Sequence, residues 1–470
     1  MGPVPALADR AAACGTHLRA AESVLLASHI DADGLTSAAI AATALERANV
    51  PVEVVFENQL DDAAIARIAA ADHETVLFTD FGSGQLEAIA AHEAAGDFTP
   101  VIADHHQPAD ATTQFHLNPL LEGIDGASEL SGAGAAYLLA RALETDGTDN
   151  RDLAALAVVG AVGDMQAVGG ELVGANRDVV AEGIEAGVLA EGTDLAFYGT
   201  QTRPLPKLLE YGSEVQIPGI TNDEAGAVAF LRDLDVELTD GDGDWRRWVD
   251  LSDDERRQVA SALVRRAIDR GVPAGEVEDI VATTYTLPAE PAGTELRDAS
   301  EFSTLLNATA RYERADVGLA VCLGDREDAL ARARTLLQNH RRNLSEGLEL
   351  VKRRGVEQAE HLQYFDAGEA IRETIVGIVA GMALGVDGVD GRRPILAFAR
   401  KGESETKVSA RGTGRLVGRG LDLSAVMTQA AGAVGGEGGG HDVAAGATIP
   451  AGAEDAFVDE ADALVGEQLG

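Results

Sequence analysis

Cysteine is scarce in this chain, and so are lysine, aromatic residues and long apolar runs. The two cysteines among 470 residues, Cys14 and Cys322, lie far apart and in no metal-ligand spacing. This argues against a disulfide framework and predicts a reducing compartment. No run of 18 apolar residues occurs, and the first residues lack the basic start and apolar centre of a signal peptide. We therefore expect a cytoplasmic protein with no membrane partner.

Positive charge is also scarce, because 37 basic residues stand against 78 acidic ones and the net charge is −41. Only four of the basic residues are lysine. This composition is typical of proteins from a salt-loaded cytoplasm, where a Debye length of about 3 Å at molar salt screens the repulsion of an acidic surface. The acidity therefore predicts a halophilic protein and does not exclude nucleic acid as a partner.

Two segments depart from the acidic average. A long helical pattern over residues 326–366 carries eight basic and seven acidic residues, and residues 392–420 carry eight basic and two acidic ones. Basic segments in an acidic chain favour a polyanionic ligand. Local ion pairs on helix surfaces are the alternative interpretation.

The N-terminal part alternates strand-like and helical patterns. Apolar runs such as "SVLLASH", "ETVLFTD" and "FTPVIAD" are each separated by a helix-forming segment. This alternation predicts an α/β fold with a parallel sheet and crossover helices. Ligands of such sheets gather beyond the carboxyl ends of the strands, so the candidate site lies there. The length of the chain predicts at least two domains.

Acidic and histidine side chains follow these apolar runs. In extended backbone, the alternating residues of "HIDADG" would point the same way. One aspartate in such a place is usually a cap or turn residue, but an ordered set indicates a site. The set is His29, Asp31, Asp33, Asp80, Asp104, His105, His106 and Asp164.

Imidazole and carboxylate without thiolate suit Mn²⁺ or Mg²⁺ better than a structural zinc ion. There are enough of these groups for two ions. A pair of ions about 3.5–4 Å apart promotes displacement at phosphorus, which favours hydrolysis of a phosphodiester or a phosphoanhydride.

A glycine-rich stretch, "GAVGGEGGGHDVAAGATI", follows two arginine-rich strand-like runs near the C-terminus. It contains Gly438, Gly439, Gly440 and His441. Consecutive glycines let backbone amides approach an anion, so we expect a phosphate-binding nest. A flexible linker is the alternative.

The ordered motifs "HIDADG", "TDFG", "DHH", "VGD" and "GGEGGGHDVAAGATI" resemble those of the DHH phosphoesterase superfamily with its associated C-terminal domain. The length of the chain and the "HxDxDG" form are most similar to the archaeal RecJ-like nucleases. The motifs lie within residues 24–165 and 370–450. Bacterial RecJ proteins commonly have Asp at the position of His29, which leaves the metal preference open.

The resemblance implies a role for each residue of the set. His29 and Asp31 would hold one divalent ion, and Asp80 would bridge it to a second. Mn²⁺ is expected in preference to Mg²⁺. The second ion would be held by Asp33, His105 and Asp164. His106 would face the scissile phosphate, with Asp104 orienting it, and the substrate phosphates would be bound by Arg411, Gly438, Gly439, Gly440 and His441.

The resemblance also implies four parts. Residues 1–190 would form the DHH catalytic domain, 191–305 a mainly helical insertion, 306–366 the end of the DHH domain with a long connecting helix, and 367–470 a smaller α/β substrate-binding domain. The insertion contains Trp245 and Trp248, which suit either a buried core or an interface anchor. In relatives this insertion contacts replisome proteins such as GINS, so a partner of that kind is expected.

Three functions remain open. The leading one is a metal-dependent exonuclease acting on single-stranded DNA or RNA in replication or repair, with either polarity. The second is a small-molecule phosphohydrolase, such as a pyrophosphatase or a nucleotide or nano-oligonucleotide phosphatase. The third is a replisome scaffold. The complete ligand set favours an enzyme over a scaffold, and the insertion with the basic helix favours a polymeric substrate.

Overall fold

A computed structural model of the chain describes residues 2–470 except 168, 213 and 387. The chain divides into two structural units, the first ending at Arg334 and the second starting at Thr335. In the part of the chain that is described, no helix is long and apolar enough to cross a membrane.

The first unit opens with alternating helices and strands. Their bounds are α1 Ala8–Ala20, β1 Val24–His29, α2 Ala32–Arg47, β2 Val52–Glu57, α3 Asp62–Ala69, β3 Thr75–Thr79, α4 Leu86–Ala95, β4 Thr99–Ala103 and β5 Phe115–Leu117. The strands form one parallel sheet in the order β2–β1–β3–β4–β5. β3 is buried along its whole length, as expected for a central strand covered on both faces. The predicted α/β fold with a parallel sheet is confirmed.

Three helices then follow: α5 Gly132–Ala142, α6 Ala154–Gly163 and α7 Gly174–Glu185. α6 approaches α2 closely at Gly160, where a Cβ atom would lie 2.5 Å from Asp33 Oδ1 and from Thr36 Oγ1. Asp164 is the C-cap residue of α6. The expectation that every candidate ligand follows a strand is therefore wrong for Asp164, because a short apolar run of small residues suits a buried helix as well as a strand.

The segment expected to be an insertion has a core of its own. It contains β6 Ala190–Leu195, α8 Leu205–Glu210, α9 Glu224–Arg232, α10 Asp253–Asp269, α11 Ala274–Glu278 and β7 Val281–Thr286. β6 and β7 pair antiparallel. Trp248 is 1% exposed in this core, Trp245 packs against it, and the indole N–H of Trp248 donates to Asp194 Oδ1 at 3.0 Å. The core interpretation of Trp248 is confirmed.

The chain then returns to the first helices. The next elements are α12 Ala299–Arg311, α13 Ala315–Cys322 and α14 Asp328–Arg354. Asn307 Oδ1, on α12, accepts the backbone N–H of Ala32 at 3.1 Å, so α12 supports the start of α2. The prediction of helix up to residue 366 is wrong beyond Arg354. Gly355 has φ +76°, and a glycine in this left-handed conformation ends a helix.

The second unit is a six-stranded mixed sheet with helices. Its elements are β8 Glu357–Gln358, β9 Gln363–Asp366, α15 Glu373–Ala383, β10 Ile395–Lys401, β11 Glu405–Arg411, α16 Gly414–Val417, α17 Leu423–Ala433, β12 Glu437–Gly440, β13 Ala444–Pro450 and α18 Glu454–Leu469. The strand order is β12–β13–β11–β10–β9–β8, and the β9–β10 pair is parallel. The sheet thus begins at Glu357, earlier than the boundary at residue 367 expected from the sequence. The two arginine-rich runs are strands β10 and β11, as predicted.

The glycine-rich stretch forms strand β12 at the edge of the sheet and is not the flexible linker, while its phosphate-binding role stays a prediction. β12 pairs antiparallel with β13, with Gly438 opposite Ala447. A Cβ atom on Gly438 would lie 2.3 Å from the carbonyl oxygen of Met427 on α17, and one on Gly440 would lie 2.6 Å from Ala445 Cα. These glycines therefore permit the strand to pack closely against its neighbours. A run of glycines in a sequence is compatible both with such a strand and with an anion-binding loop.

Candidate metal centre

The "HIDADG" turn places its three ligand-type residues at the end of a strand and the start of a helix. His29 ends β1, Asp31 caps α2 by accepting the backbone N–H of Gly34 at 2.9 Å, and Asp33 lies in the first turn of that helix. A Cβ atom on Gly34 would lie 2.1 Å from the carbonyl oxygen of His29, so glycine permits this tight turn. The expectation of one extended run is wrong, because the helix starts at Ala32 and separates Asp33 from the other two.

Asp80 lies at the middle of the site. It follows β3 with φ +60° and is 2% exposed. Its Oδ2 atom is 3.5 Å from His29 Nδ1, and its Oδ1 atom is 3.4 Å from His105 Nε2. A Cβ atom on Gly132 would lie 2.4 Å from Oδ1, so the backbone of α5 closes over the carboxylate. Each oxygen of Asp80 therefore faces a different histidine.

The first ligand group consists of His29, Asp31 and Asp80, whose ligand atoms lie within 4.8 Å of one another. His29 Nδ1 is 3.1 Å from Asp31 Oδ2. Burial of the imidazole lowers the pKa of His29, but the nearby carboxylates of Asp31 and Asp80 outweigh burial and raise this pKa to about 11. In the absence of another cation, a proton on His29 offsets the two carboxylates.

The second ligand group consists of Asp33, His105 and Asp164, within the same distance limit. His105 Nδ1 donates to the carbonyl oxygen of Gly126 at 2.6 Å. This bond directs Nε2 toward the carboxylates, 3.8 Å from Asp33 Oδ2 and 3.8 Å from Asp164 Oδ2. A histidine whose Nδ1 is fixed by a carbonyl presents Nε2 as a metal ligand.

The carboxylates crowd one another at this second group. Backbone N–H groups of Gly132 and Ala133, at the start of α5, donate to Asp33 at 2.7 and 3.0 Å. Burial and the charges of Asp80 and Asp164 nevertheless raise the pKa of Asp33 well above its usual value. Burial also raises the pKa of Asp164 to about 6. The site therefore has an excess of negative charge, which a cation would relieve.

The donor atoms fit a divalent cation. Both oxygens of Asp80 and Nε2 of His105 are buried and have no hydrogen-bond partner among the described residues. Buried polar atoms are normally paired, and carboxylate oxygens with imidazole nitrogens are ligands that Mn²⁺ accepts. The acidic cluster can therefore hold metal.

Asp104 and His106 form a separate pair at the edge of the site. Asp104 Oδ1 accepts His106 Nδ1–H at 2.8 Å, and Asp104 Oδ2 accepts the backbone N–H of Ser83 at 2.9 Å. Burial raises the pKa of Asp104, but the bond from His106 outweighs it and lowers this pKa to about 2. The same bond raises the pKa of His106. His106 is 54% exposed while Asp104 is fully buried, so Asp104 fixes the orientation of a solvent-facing imidazole.

Gln166 and Asn176 support the second ligand group and were missed in the sequence. Gln166 Nε2 donates to Asp164 Oδ2 at 2.9 Å and to the carbonyl oxygen of Gly126 at 2.8 Å. Asn176 Nδ2 donates to Gln166 Oε1 at 2.6 Å and so fixes the orientation of that amide. Because Gly126 also accepts from His105, Gln166 connects two candidate ligands. A single buried amide leaves no periodic signal in a sequence.

Three of the five candidate substrate residues meet at one end of the second unit's sheet. Arg411 is opposite Ala444, and Gly440 is opposite Ala445 on the other side of β13. His441 is exposed in the turn that follows, where its backbone N–H donates to Ala444 at 2.9 Å. Gly438 and Gly439 lie farther along β12, paired with β13. The structure therefore groups Arg411, Gly440 and His441.

Three family models match consecutive parts of the chain. The DHH family N-terminal domain matches residues 23–161, the DHH-CID domain residues 197–281 and the DHHA1 domain residues 361–467. An uncharacterized protein of Methanocaldococcus jannaschii is 30% identical over 449 residues, which cover 94% of this chain and 93% of the relative. The chain therefore belongs to the DHH family.

Solved structures share the fold. RecJ from Thermus thermophilus in complex with Mn²⁺ is 19% identical with a TM-score of 0.61, and the match covers 99% of this chain but only 55% of that one. The chain thus spans about half the length of this RecJ. CDC45 from Entamoeba histolytica is 12% identical with a TM-score of 0.66, over 98% of this chain and 97% of that one. At these identities the likeness concerns the fold.

Proposed function

We propose that the chain is a metal-dependent phosphodiesterase, a RecJ-like exonuclease that hydrolyses single-stranded DNA or RNA in replication or repair. The observation that supports this most is the buried carboxylate of Asp80, which belongs to the first ligand group and lies 3.4 Å from His105 of the second. Small-molecule hydrolysis and a purely structural role are the competing proposals.

The two ligand groups suit two divalent ions, with Mn²⁺ preferred to Mg²⁺. His29 and Asp31 would hold one ion and Asp33, His105 and Asp164 the other, with one oxygen of Asp80 for each. The four carboxylates of the two groups carry four negative charges, which two divalent cations balance. When bound, such a pair lowers the pKa of a water molecule and neutralises the charge of the phosphate.

His106 is proposed to act on the substrate through Nε2. Its Nδ1–H is held by Asp104, so Nε2 is the ring atom left for the substrate. The bond to Asp104 raises the pKa of His106, which favours the protonated imidazole. His106 Nε2–H can then donate a hydrogen bond to a phosphate oxygen or a proton to the leaving oxygen.

The second unit is proposed to bind the substrate's phosphates. Arg411, Gly440 and His441 supply a guanidinium group, backbone N–H groups and an imidazole at one end of the sheet, and Gly438 with Gly439 extend this edge. Guanidinium binds phosphate with two parallel hydrogen bonds. The division into a catalytic domain, an insertion, a connecting helix and a substrate-binding domain is part of the same proposal.

A second candidate function is that of a replisome protein. The likeness to CDC45 over nearly the whole of both chains favours it. In this proposal the insertion, which the DHH-CID model matches in part, would bind GINS or another replisome protein. A role in the replisome is compatible with hydrolysis, because the complete ligand set is retained.

One assay separates these functions. Single-stranded DNA and RNA labelled at the 5′ or the 3′ end, and pyrophosphate, are incubated with the protein at molar salt with Mn²⁺ or Mg²⁺, and with a chelator as control. Stepwise shortening of labelled strands supports the exonuclease and gives its polarity. Hydrolysis of pyrophosphate alone would indicate the small-molecule enzyme, and no hydrolysis of any substrate would contradict an enzymatic function.

A further inference from the structure

A cleft of about 570 Å³ opens beside the metal centre. It is bordered by His29, Asp80, Asp104 and His106 on one side. We call it the amide cleft because four uncharged amide side chains, those of Asn58, Gln59, Gln85 and Gln107, are among its other lining residues. Its other lining residues are Asn58, Gln59, Leu60, Asp61, Phe81, Gly82, Gly84, Gln85 and Gln107.

The amide cleft is formed by the loops that follow three strands of the parallel sheet, β2, β3 and β4. Residues 58–61 follow β2, residues 81–85 follow β3, and His106 with Gln107 follow β4. Two carboxylates hold these loops in place. Asp61 Oδ1 accepts the backbone N–H of Ala64 at 2.7 Å, and Asp104 Oδ2 accepts the backbone N–H of Ser83 at 2.9 Å. The cleft therefore occupies the usual ligand position of a parallel sheet.

The charge of the amide cleft does not suit a phosphate. The charged side chains among its described lining residues are aspartates, namely Asp61, Asp80 and Asp104, together with the two histidines. Neither lysine nor arginine is among those described lining residues. A phosphate away from the metal ligands and from His106 would lack a cationic partner and face carboxylates, which disfavours binding. A neutral part of a substrate fits this cleft better.

The lining suits a flat heteroaromatic ring. Leu60 and Phe81 border the cleft but are only 4% and 7% exposed, so they offer a small apolar edge and the four amide side chains supply most of the contacts. Side-chain amides both donate and accept hydrogen bonds, as the edges of nucleobases require. The volume lies within the range of small-molecule sites, about 300–1,000 Å³.

We infer that the amide cleft binds the nucleobase and sugar next to the scissile phosphate. This inference rests on the proposed hydrolysis of nucleic acid, because it assigns one part of that substrate to a place in the first unit. The interactions are neutral hydrogen bonds with the amide side chains and limited apolar contact, so this part of the substrate affinity should change little with salt, unlike contacts to phosphates.

Gly84 allows a direct test. It lines the cleft within a single 3₁₀ turn, and a Cβ atom there would have only the carbonyl oxygen of Gln107 within 4 Å, at 3.9 Å. Gly84→Leu should therefore narrow the cleft without disturbing the fold. Gly275→Leu is the matched control, because a Cβ atom on Gly275, an exposed residue of α11, meets nothing within 4 Å.

The probe is the fluorescent nucleoside 2-aminopurine deoxyriboside, which has no phosphate. We expect it to bind the metal-free and the Mn²⁺-loaded protein equally, in low and in molar salt. Gly84→Leu should weaken binding about tenfold, which corresponds to one or two lost neutral hydrogen bonds, because the leucine side chain occupies space that the ring needs, while Mn²⁺ affinity stays unchanged. Gly275→Leu should change neither affinity. Gln107→Ala, at an exposed position, should weaken nucleoside binding by a smaller factor than Gly84→Leu. It is the test variant if Gly84→Leu does not fold.

Absence of nucleoside binding by the natural sequence would overturn the inference. So would equal affinity in folded Gly84→Leu, or displacement of the nucleoside by inorganic phosphate from the metal-free protein. Because the probe is not hydrolysed, these results are independent of turnover. If labelled strands are not shortened and the nucleoside still binds, the exonuclease proposal fails while the nucleoside site stands.

Discussion

The metal centre of the first unit is built from side chains, whereas the glycine-rich strand of the second unit is built from backbone. In the first, residues from separate loops converge because the carboxyl ends of parallel strands meet at one edge of a sheet. In the second, a run of glycines is compatible with a loop or with a tightly packed strand. The strand forms here because it pairs with β13 and packs against helix α17. The position of ligand-type side chains is thus more informative than a run of glycines.

The largest effect should come from Asp80→Asn. Asparagine has the shape of aspartate and tolerates φ near +60°, so the fold should persist. The variant loses the negative charge that both ligand groups share, and hydrolysis should fall at least about a thousandfold. The measurement is the rate at which the protein hydrolyses labelled single strands in the presence of Mn²⁺. Asp110→Ala, at an exposed residue of the same unit, is the control, and full activity of Asp80→Asn would contradict the bridging role.

A smaller effect is expected from Arg411→Ala. Loss of a charged hydrogen bond to phosphate should weaken binding of single-stranded nucleic acid about tenfold to a hundredfold, with Mn²⁺ affinity unchanged. Both affinities are measured by calorimetry. The control is Arg392→Ala, because Arg392 is exposed and pairs locally with Asp390. Equal losses of substrate and metal affinity would argue for misfolding and against a role in substrate binding.

Gln166→Leu should lower Mn²⁺ affinity about tenfold. Leucine has a similar size but cannot donate to Asp164 or Gly126, and residues that orient metal ligands commonly contribute this much. Gln258→Leu, at an exposed position of α10, should leave metal binding unchanged. A Gln166→Leu protein that binds Mn²⁺ normally would show that Asp164 and His105 are oriented without this amide.

The smallest effect on function is expected from two alanine substitutions in β12. A Cβ atom on Gly438 collides with backbone of α17, whereas one on Gly439 meets only Thr428 Oγ1, at 4.0 Å. Gly438→Ala should lower the free energy of unfolding by about 1–3 kcal/mol, and Gly439→Ala should be close to neutral. Denaturant unfolding measures both. Equal stability of the two proteins, with weaker substrate binding in each, would instead support a phosphate-binding role of these glycines.

Much of the first unit could be predicted from the sequence. Strand–helix alternation indicates the parallel sheet, and His29, Asp80 and His105 are recognisable because each directly follows an apolar run. The allocation of Asp33 and Asp31 to different groups could not be predicted in this way, because it depends on where α2 begins. The contribution of Gln166 depends on contacts with residues 40 and 61 positions away, which no local pattern records.

The second unit could be predicted less well. The arginine-rich strands β10 and β11 follow from their composition, but helix α14 ends at Arg354 because Gly355 takes a left-handed conformation. Two short strands, β8 and β9, then replace the expected helix. Their place at the edge of the sheet results from pairing with β10, which is a tertiary contact.

Metal stoichiometry tests the central claim most directly. Calorimetric titration of the metal-free protein with Mn²⁺ at molar salt, confirmed by anomalous scattering from Mn²⁺-soaked crystals, counts the ions and locates them. We expect two ions per chain, one at His29 and Asp31 and one at Asp33, His105 and Asp164, with Asp80 between them. A single ion, or ions bound away from these side chains, would contradict the account.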